Sequence, residues 1–125
     1  MKVAIYDRGV CGIEQTFYVG TVNKETDATT GTQFPVKLPA GFRIISFFVD
    51  VKTAFASATL DVSGDQSTPV KYVDAATLNA VGFTTKDSAY KAVGDKDVAL
   101  TAKLSAAETG GGCADIFVKA IRLEL

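Results

Sequence analysis

The chain has 125 residues, enough to bury one hydrophobic core and too few for two, so a single domain over residues 1–125 is expected. Hydrophobic residues make up 47% and charged residues 22%, a balance that excludes a disordered chain. Lys and Arg number 13 against 14 Asp and Glu, and neither sign gathers into a long run, which excludes the concentrated basic face of a nucleic-acid binder. No apolar run approaches the ~20 residues of a membrane-spanning helix.

Residues 2–6 (KVAIY) read as a short first strand closed by Asp7, Arg8 and Gly9. The opening reaches Asp7 and Arg8 before an apolar run of signal-peptide length can form, so the chain is expected on the cytoplasmic side until something releases it. Residues 14–22 (EQTFYVGTV) are rich in Thr, Phe, Tyr and Val and suit a pleated, half-buried surface. Residues 23–33 lack any large apolar side chain and read as an exposed loop.

The longest hydrophobic passage, residues 36–62, follows. Residues 34–38 carry Pro35, which cannot donate to a ladder and therefore belongs at an edge or a strand start. After the turn at Pro39 to Gly41, residues 42–52 are apolar on both parities: Ile45, Phe47, Val49 and Val51 on one, Phe42, Ile44 and Phe48 on the other. Such a strand is covered on both faces or carries a bulge that switches its inward face. If it is covered on both, a second copy is a candidate cover, and Phe47 or Phe48 would lose solvent only in an oligomer.

Ala58, Leu60 and Val62 then alternate with polar residues as a strand with one buried face. Residues 69–74 (PVKYVD) read as another strand, and residues 75–80 (AATLNA) as the one place where a helical turn competes. Residues 81–92 hold one irregular strand anchored by Phe83 and Tyr90. Val98, Leu100, Ala102 and Leu104 alternate cleanly, and after three glycines residues 113–125 form a final apolar strand that must be paired. The sum is an all-β chain, a single antiparallel β-sandwich, jelly-roll-like, with about seven to nine strands.

Catalytic chemistry finds little to work with. There is no histidine, which removes the commonest general base, the usual triads and most zinc sites. Asp61, Asp65, Asp95 and Asp97 flank glycine turns, where aspartate commonly binds its own backbone, and they fall short of the six to eight oxygens of a calcium loop. Cys11 and Cys113 have no activating partner in sequence and read as packing thiols, free in a reducing compartment unless the chain ends meet. Tyr18, Phe47, Phe48, Tyr72 and Phe117 offer either core packing or a sugar-stacking platform. No catalytic, metal or cofactor site is expected, and the chain reads as a non-enzyme.

One passage carries a resemblance. The order of V-K-L-P-A-G, a long hydrophobic strand, T-A-F at Thr53 to Phe55, and A-T-L-D-V before a Gly-Asp turn resembles the small head decoration, cement or minor structural proteins of tailed bacteriophages. The final strand, with Ala114, Asp115, Ile116 and Ile121, is in keeping with it.

The resemblance implies a β-sandwich bound to the outside of an assembled head, bridging major capsid protein subunits as a dimer or trimer, in the virion and without membrane or nucleic-acid contact. The partner-contact candidates are Lys2, Ile5 and Tyr6 in the first strand, Phe34 beside the polar loop, Phe47 and Phe48 in the long strand, and Phe55 and Phe83 in connections. The alternatives are a tail, neck or fibre component, or a carbohydrate- or receptor-binding module.

Overall fold

A computed structural model describes residues 14–23, 31–106 and 111–122. The first predicted strand, with Lys2, Ile5, Tyr6 and Cys11, lies outside the described residues, as does most of the polar loop. Eight strands follow in order: β1 (Glu14–Asn23), β2 (Thr32–Leu38), β3 (Phe42–Thr53), β4 (Thr59–Gly64), β5 (Lys71–Thr77), β6 (Gly82–Ala92), β7 (Val98–Leu104) and β8 (Cys113–Arg122). They form two four-stranded antiparallel sheets, A with order β1-β8-β3-β6 and B with order β2-β7-β4-β5.

The pairing has a simple rule. β4 pairs with β5, β3 with β6, β2 with β7 and β1 with β8, so the chain is a nested double ribbon folded back at the β4–β5 turn. Rolling that ribbon brings β8 against β3 and β7 against β4, which closes the two sheets into a jelly-roll-like sandwich.

The two-parity strand has its explanation in β3. Phe42 and Ile44 point inward, the register shifts between Ile44 and Ser46, and Phe47, Val49 and Val51 then point inward. The bulge, and not a second cover, makes both parities apolar. Phe47 is fully buried within the single chain, so the expectation that it gains cover only from another copy is overturned, whereas Phe48 faces outward and is partly buried.

The buried side chains form one cluster between the sheets, with Val19 and Val22 from β1, Leu60 and Val62 from β4, Leu100 and Leu104 from β7, and Ile116 and Val118 from β8. Phe47 meets Tyr72 of sheet B at a ring distance of 6.0 Å. Phe34 closes one corner, its ring lying where a Cβ on Gly20 would have to stand, so only glycine lets β1 and β2 come this close. Phe55, expected in a connection as a partner contact, is buried under Gly112 in the same manner.

The turn of helix weighed at residues 75–80 does not form. β5 runs on to Thr77 because Ala76 and Leu78 are both buried, and Asp61 Oδ1 accepts the Ala75 N–H at 2.7 Å while Ala75 takes φ 55°. Farther along, Tyr72 ties three segments together. Its hydroxyl accepts from Gln66 Nε2 at 2.7 Å and donates to the Ala92 carbonyl at 3.2 Å, while Ser88 donates to its backbone oxygen at 3.2 Å.

Burial pushes the Tyr72 phenol up from its ordinary value, against a smaller downward pull from the Gln66 hydrogen bond. Because the folded value is the higher one, the neutral phenol stabilises the fold below about pH 10, and that contribution is lost as pH rises through the folded value. Tyr72→Phe should therefore destabilise the protein by about 1–2 kcal/mol at neutral pH. Denaturant melts run at several pH values should show the gap to wild type narrowing above about pH 10.

Candidate interaction surface

The two outer faces of the sandwich differ in chemistry. Sheet B presents Thr59, Asp61, Ser63, Lys71, Thr101 and Lys103, short polar or charged side chains suited to water. Sheet A presents a row of rings, one from each strand. Tyr18 of β1 stands opposite Phe117 of β8, which stands opposite Phe48 of β3, and Phe83 of β6 packs on Phe48.

The ring centroids are 5.4 Å apart for Tyr18 and Phe117 and 5.5 Å for Phe48 and Phe83, the first pair tilted and the second stacked. Tyr18 is 51% exposed and Phe83 62%, with Val81 beside it at 69%. Contiguous exposed apolar side chains of this kind make the outer face of sheet A the candidate interaction surface.

Polar groups hold the row at one flank. Thr21 donates its hydroxyl hydrogen to Asp115 Oδ1 at 2.7 Å, so Tyr18, 2.6 Å from Thr21 Oγ1, must be the donor in that contact. Asp50 lies directly opposite Asp115 and forms an ion pair with Lys52 at 2.9 Å. That contact raises the Lys52 ammonium above its ordinary value. At the other flank Lys119 meets Glu14 at 3.1 Å.

Of the predicted contact residues, the structure places Phe48 and Phe83 together on this face. Phe34, Phe47 and Phe55 are buried in the core and unavailable to a partner without unfolding. Tyr18 and Phe117 stand on the face as weighed for a platform, while Phe47 and Tyr72 do not. The rings turn their faces and edges to one another rather than lying coplanar, which suits protein packing better than sugar stacking.

The turn aspartates have structural duties. Asp65 Oδ1 accepts from the Ala99 N–H at 3.0 Å and Asp97 Oδ1 from the Ala40 N–H at 2.9 Å, so the cleft they line with Gln66, Asp95 and Lys96 has two of its carboxylates turned to backbone. Among the described residues no three His, Cys, Asp or Glu gather as a metal site. Cys113, partly buried at the start of β8, is a free thiol.

No protein-family model matches the chain, and no curated protein does. Among solved structures it is similar to a chain of the cyanophage Pam1 capsid asymmetric unit, with a TM-score of 0.68 at 16% identity, covering 97% of this chain and 93% of that one. It is also similar to a chain of the acidic stable capsid structure of the Helicobacter pylori bacteriophage KHP30, with a TM-score of 0.50 at 13% identity, over 90% and 95% of the two chains. At these identities the likeness is one of fold, and it runs through nearly the whole of each chain.

The exposed and buried aromatics should respond differently to truncation. Phe83→Ser should cost about 1 kcal/mol or less, the worth of one aromatic pair. Phe47→Ala should cost about 3–5 kcal/mol, and equilibrium unfolding in guanidinium measures both.

Proposed function

We propose that this chain is a non-enzymatic virion structural protein of a bacteriophage, bound to the outer surface of the head as a decoration or cement protein. The observation that carries the reading is the end-to-end fold likeness to chains from two phage capsid structures, whose lengths this chain matches almost completely. The 125 residues contain no histidine, and Asp61, Asp65 and Asp97 are engaged in holding backbone. A sandwich with one apolar outer face and one polar outer face works by covering surface, not by turnover.

In this role the partner is the major capsid protein, met on an assembled shell. Stabilisation follows from mass action, since each copy that binds the assembled lattice and not its free subunits shifts the equilibrium toward the shell. Repetition over the lattice multiplies a modest contact at each site.

Purified protein mixed with empty expanded phage heads and pelleted should bind in saturable fashion, at a stoichiometry fixed by the lattice. Decorated heads should then resist heat or chelation better than bare ones. Binding to no form of the shell, or labelling that falls on tails instead of heads, would sink the reading.

A further inference from the structure

We infer that the outer edge of β1 is the seat of residues 2–6 (KVAIY), folded back antiparallel to β1 through residues 7–13, with Tyr6 opposite Glu14 and Lys2 opposite Tyr18. This concerns the single chain and does not depend on attachment to a shell. β1 ends sheet A, and among the described strands none pairs with its outer side. Its register against β8 is unbroken from Glu14 to Tyr18 and shifts only between Tyr18 and Gly20. The edge therefore offers a run of regular backbone donors and acceptors as long as the KVAIY segment, and an extended backbone is what such a ladder takes.

The other edges suit the segment less well. β2 carries Pro35 and a register shift between Gln33 and Lys37, and β5 shifts twice against β4. Glu14 lies level with Ile121, Arg43 and Ala92, so the half of β6 nearest to it is the half that holds Ala89 and Tyr90 at φ 50° and 59°. That half is bent out of regular strand. β1 follows the segment directly in sequence, which makes it the edge with the shortest loop to close. Gly9 and Gly12 fall within that loop, where a reversal of the chain needs them.

The side chains choose the register. On β1 the exposed residues are Glu14, Thr16 and Tyr18, whereas Phe17 turns toward the core and packs half-buried against Phe42 at a ring distance of 6.0 Å. Opposed residues of an antiparallel pair share a face. Tyr6 opposite Glu14 thus sets Val3 opposite Phe17 and Ile5 opposite Gln15 on the core side, with Lys2, Ala4 and Tyr6 outside. A slip of one residue would turn Val3 and Ile5 to water and Lys2 inward. A slip of two would leave part of the regular edge unused.

The open side of the sandwich has apolar surface to receive them. β2 adjoins β1 there through Phe34 and Gly20, and its Val36 is exposed. Val3 and Ile5 would close this seam over Phe17. Sheet A then has five strands, and Lys2 and Tyr6 extend its outer face beside Tyr18 and Glu14. Ile5 is withdrawn from that face and is no contact for a partner.

Cross-strand cysteines test the inference on the full chain without shells, with Cys11 and Cys113 replaced by serine. Ala4→Cys with Thr16→Cys puts the two thiols on directly opposed residues, within disulfide reach. Mild oxidation at low concentration should close this pair within one chain, as peptide mass spectrometry reads. Ile5→Cys with Thr16→Cys sets the thiols on opposite faces and should stay open.

In the unmodified background Val3→Asp should lower Tm by about 3 °C or more, and Ala4→Asp should leave it in place. Closure of the Ile5 pair in place of the Ala4 pair, closure of neither, or a Val3→Asp Tm equal to wild type would each overturn the inference. So would an Ala4–Thr16 disulfide found only between chains, since the edge would then be filled by a second copy's segment. None of these outcomes bears on shell binding, which the pelleting assay reads separately.

Discussion

The pairing of β3 with β8 is the constraint on which the rest of the molecule depends. These two strands occupy the middle of sheet A, and their inward residues, from Phe47 and Val49 on one to Ile116 and Val118 on the other, supply one wall of the core. Their outward residues, Phe48 and Phe117, stand opposite each other at the centre of the aromatic row. One register thus decides both what is hidden and what is presented. A slip by a single residue would exchange the two sets and put charge into the core.

The bulge near Ser46 is the device that reconciles these demands. Before it, Phe42 and Ile44 face the core, and after it Phe47, Val49 and Val51 do. The shift lets the strand keep a continuous inward apolar surface while Phe48 comes out beside Phe117. Sheet B has no such duality. Its outer side carries threonines, lysines and aspartates, and the exposed residues near its turns serve mainly to bind backbone, as Asp61 does for Ala75.

Much of this was legible in the amino-acid order, for physical reasons that differ from strand to strand. β7 reads at its true bounds because Val98, Leu100, Ala102 and Leu104, every second residue, are all buried. β3 reads as a bulged or doubly covered strand, and only the pairing register could choose between the two. β6 reads poorly because a single residue of it, Ser88, is buried, so no hydrophobic period exists to detect. Phe34 and Phe55 look exposed beside their polar neighbours, yet each ring fills the space left by a distant glycine, a relation no local pattern carries. The aromatic row is illegible for the same cause. Its members come from β1, β8, β3 and β6, and only the nested pairing brings them together on one face.

That nesting also governs how the chain can reach its structure. Among the described strands, the β4–β5 turn is the one connection whose two strands are both sequence neighbours and sheet partners, so it is the natural place for pairing to begin. Each further pair closes a longer loop, and β1 meets β8 last of all. A topology so dominated by distant partners belongs among the slower two-state folds, in the millisecond-to-second range. On the ribosome the consequence is sharper. β3, with seven large apolar side chains, lacks its central neighbour until β8 has been made, so one edge of this strand stays unpaired through most of the domain's synthesis. Such a chain gains from rapid completion and from the short polar turns that keep the waiting strands apart.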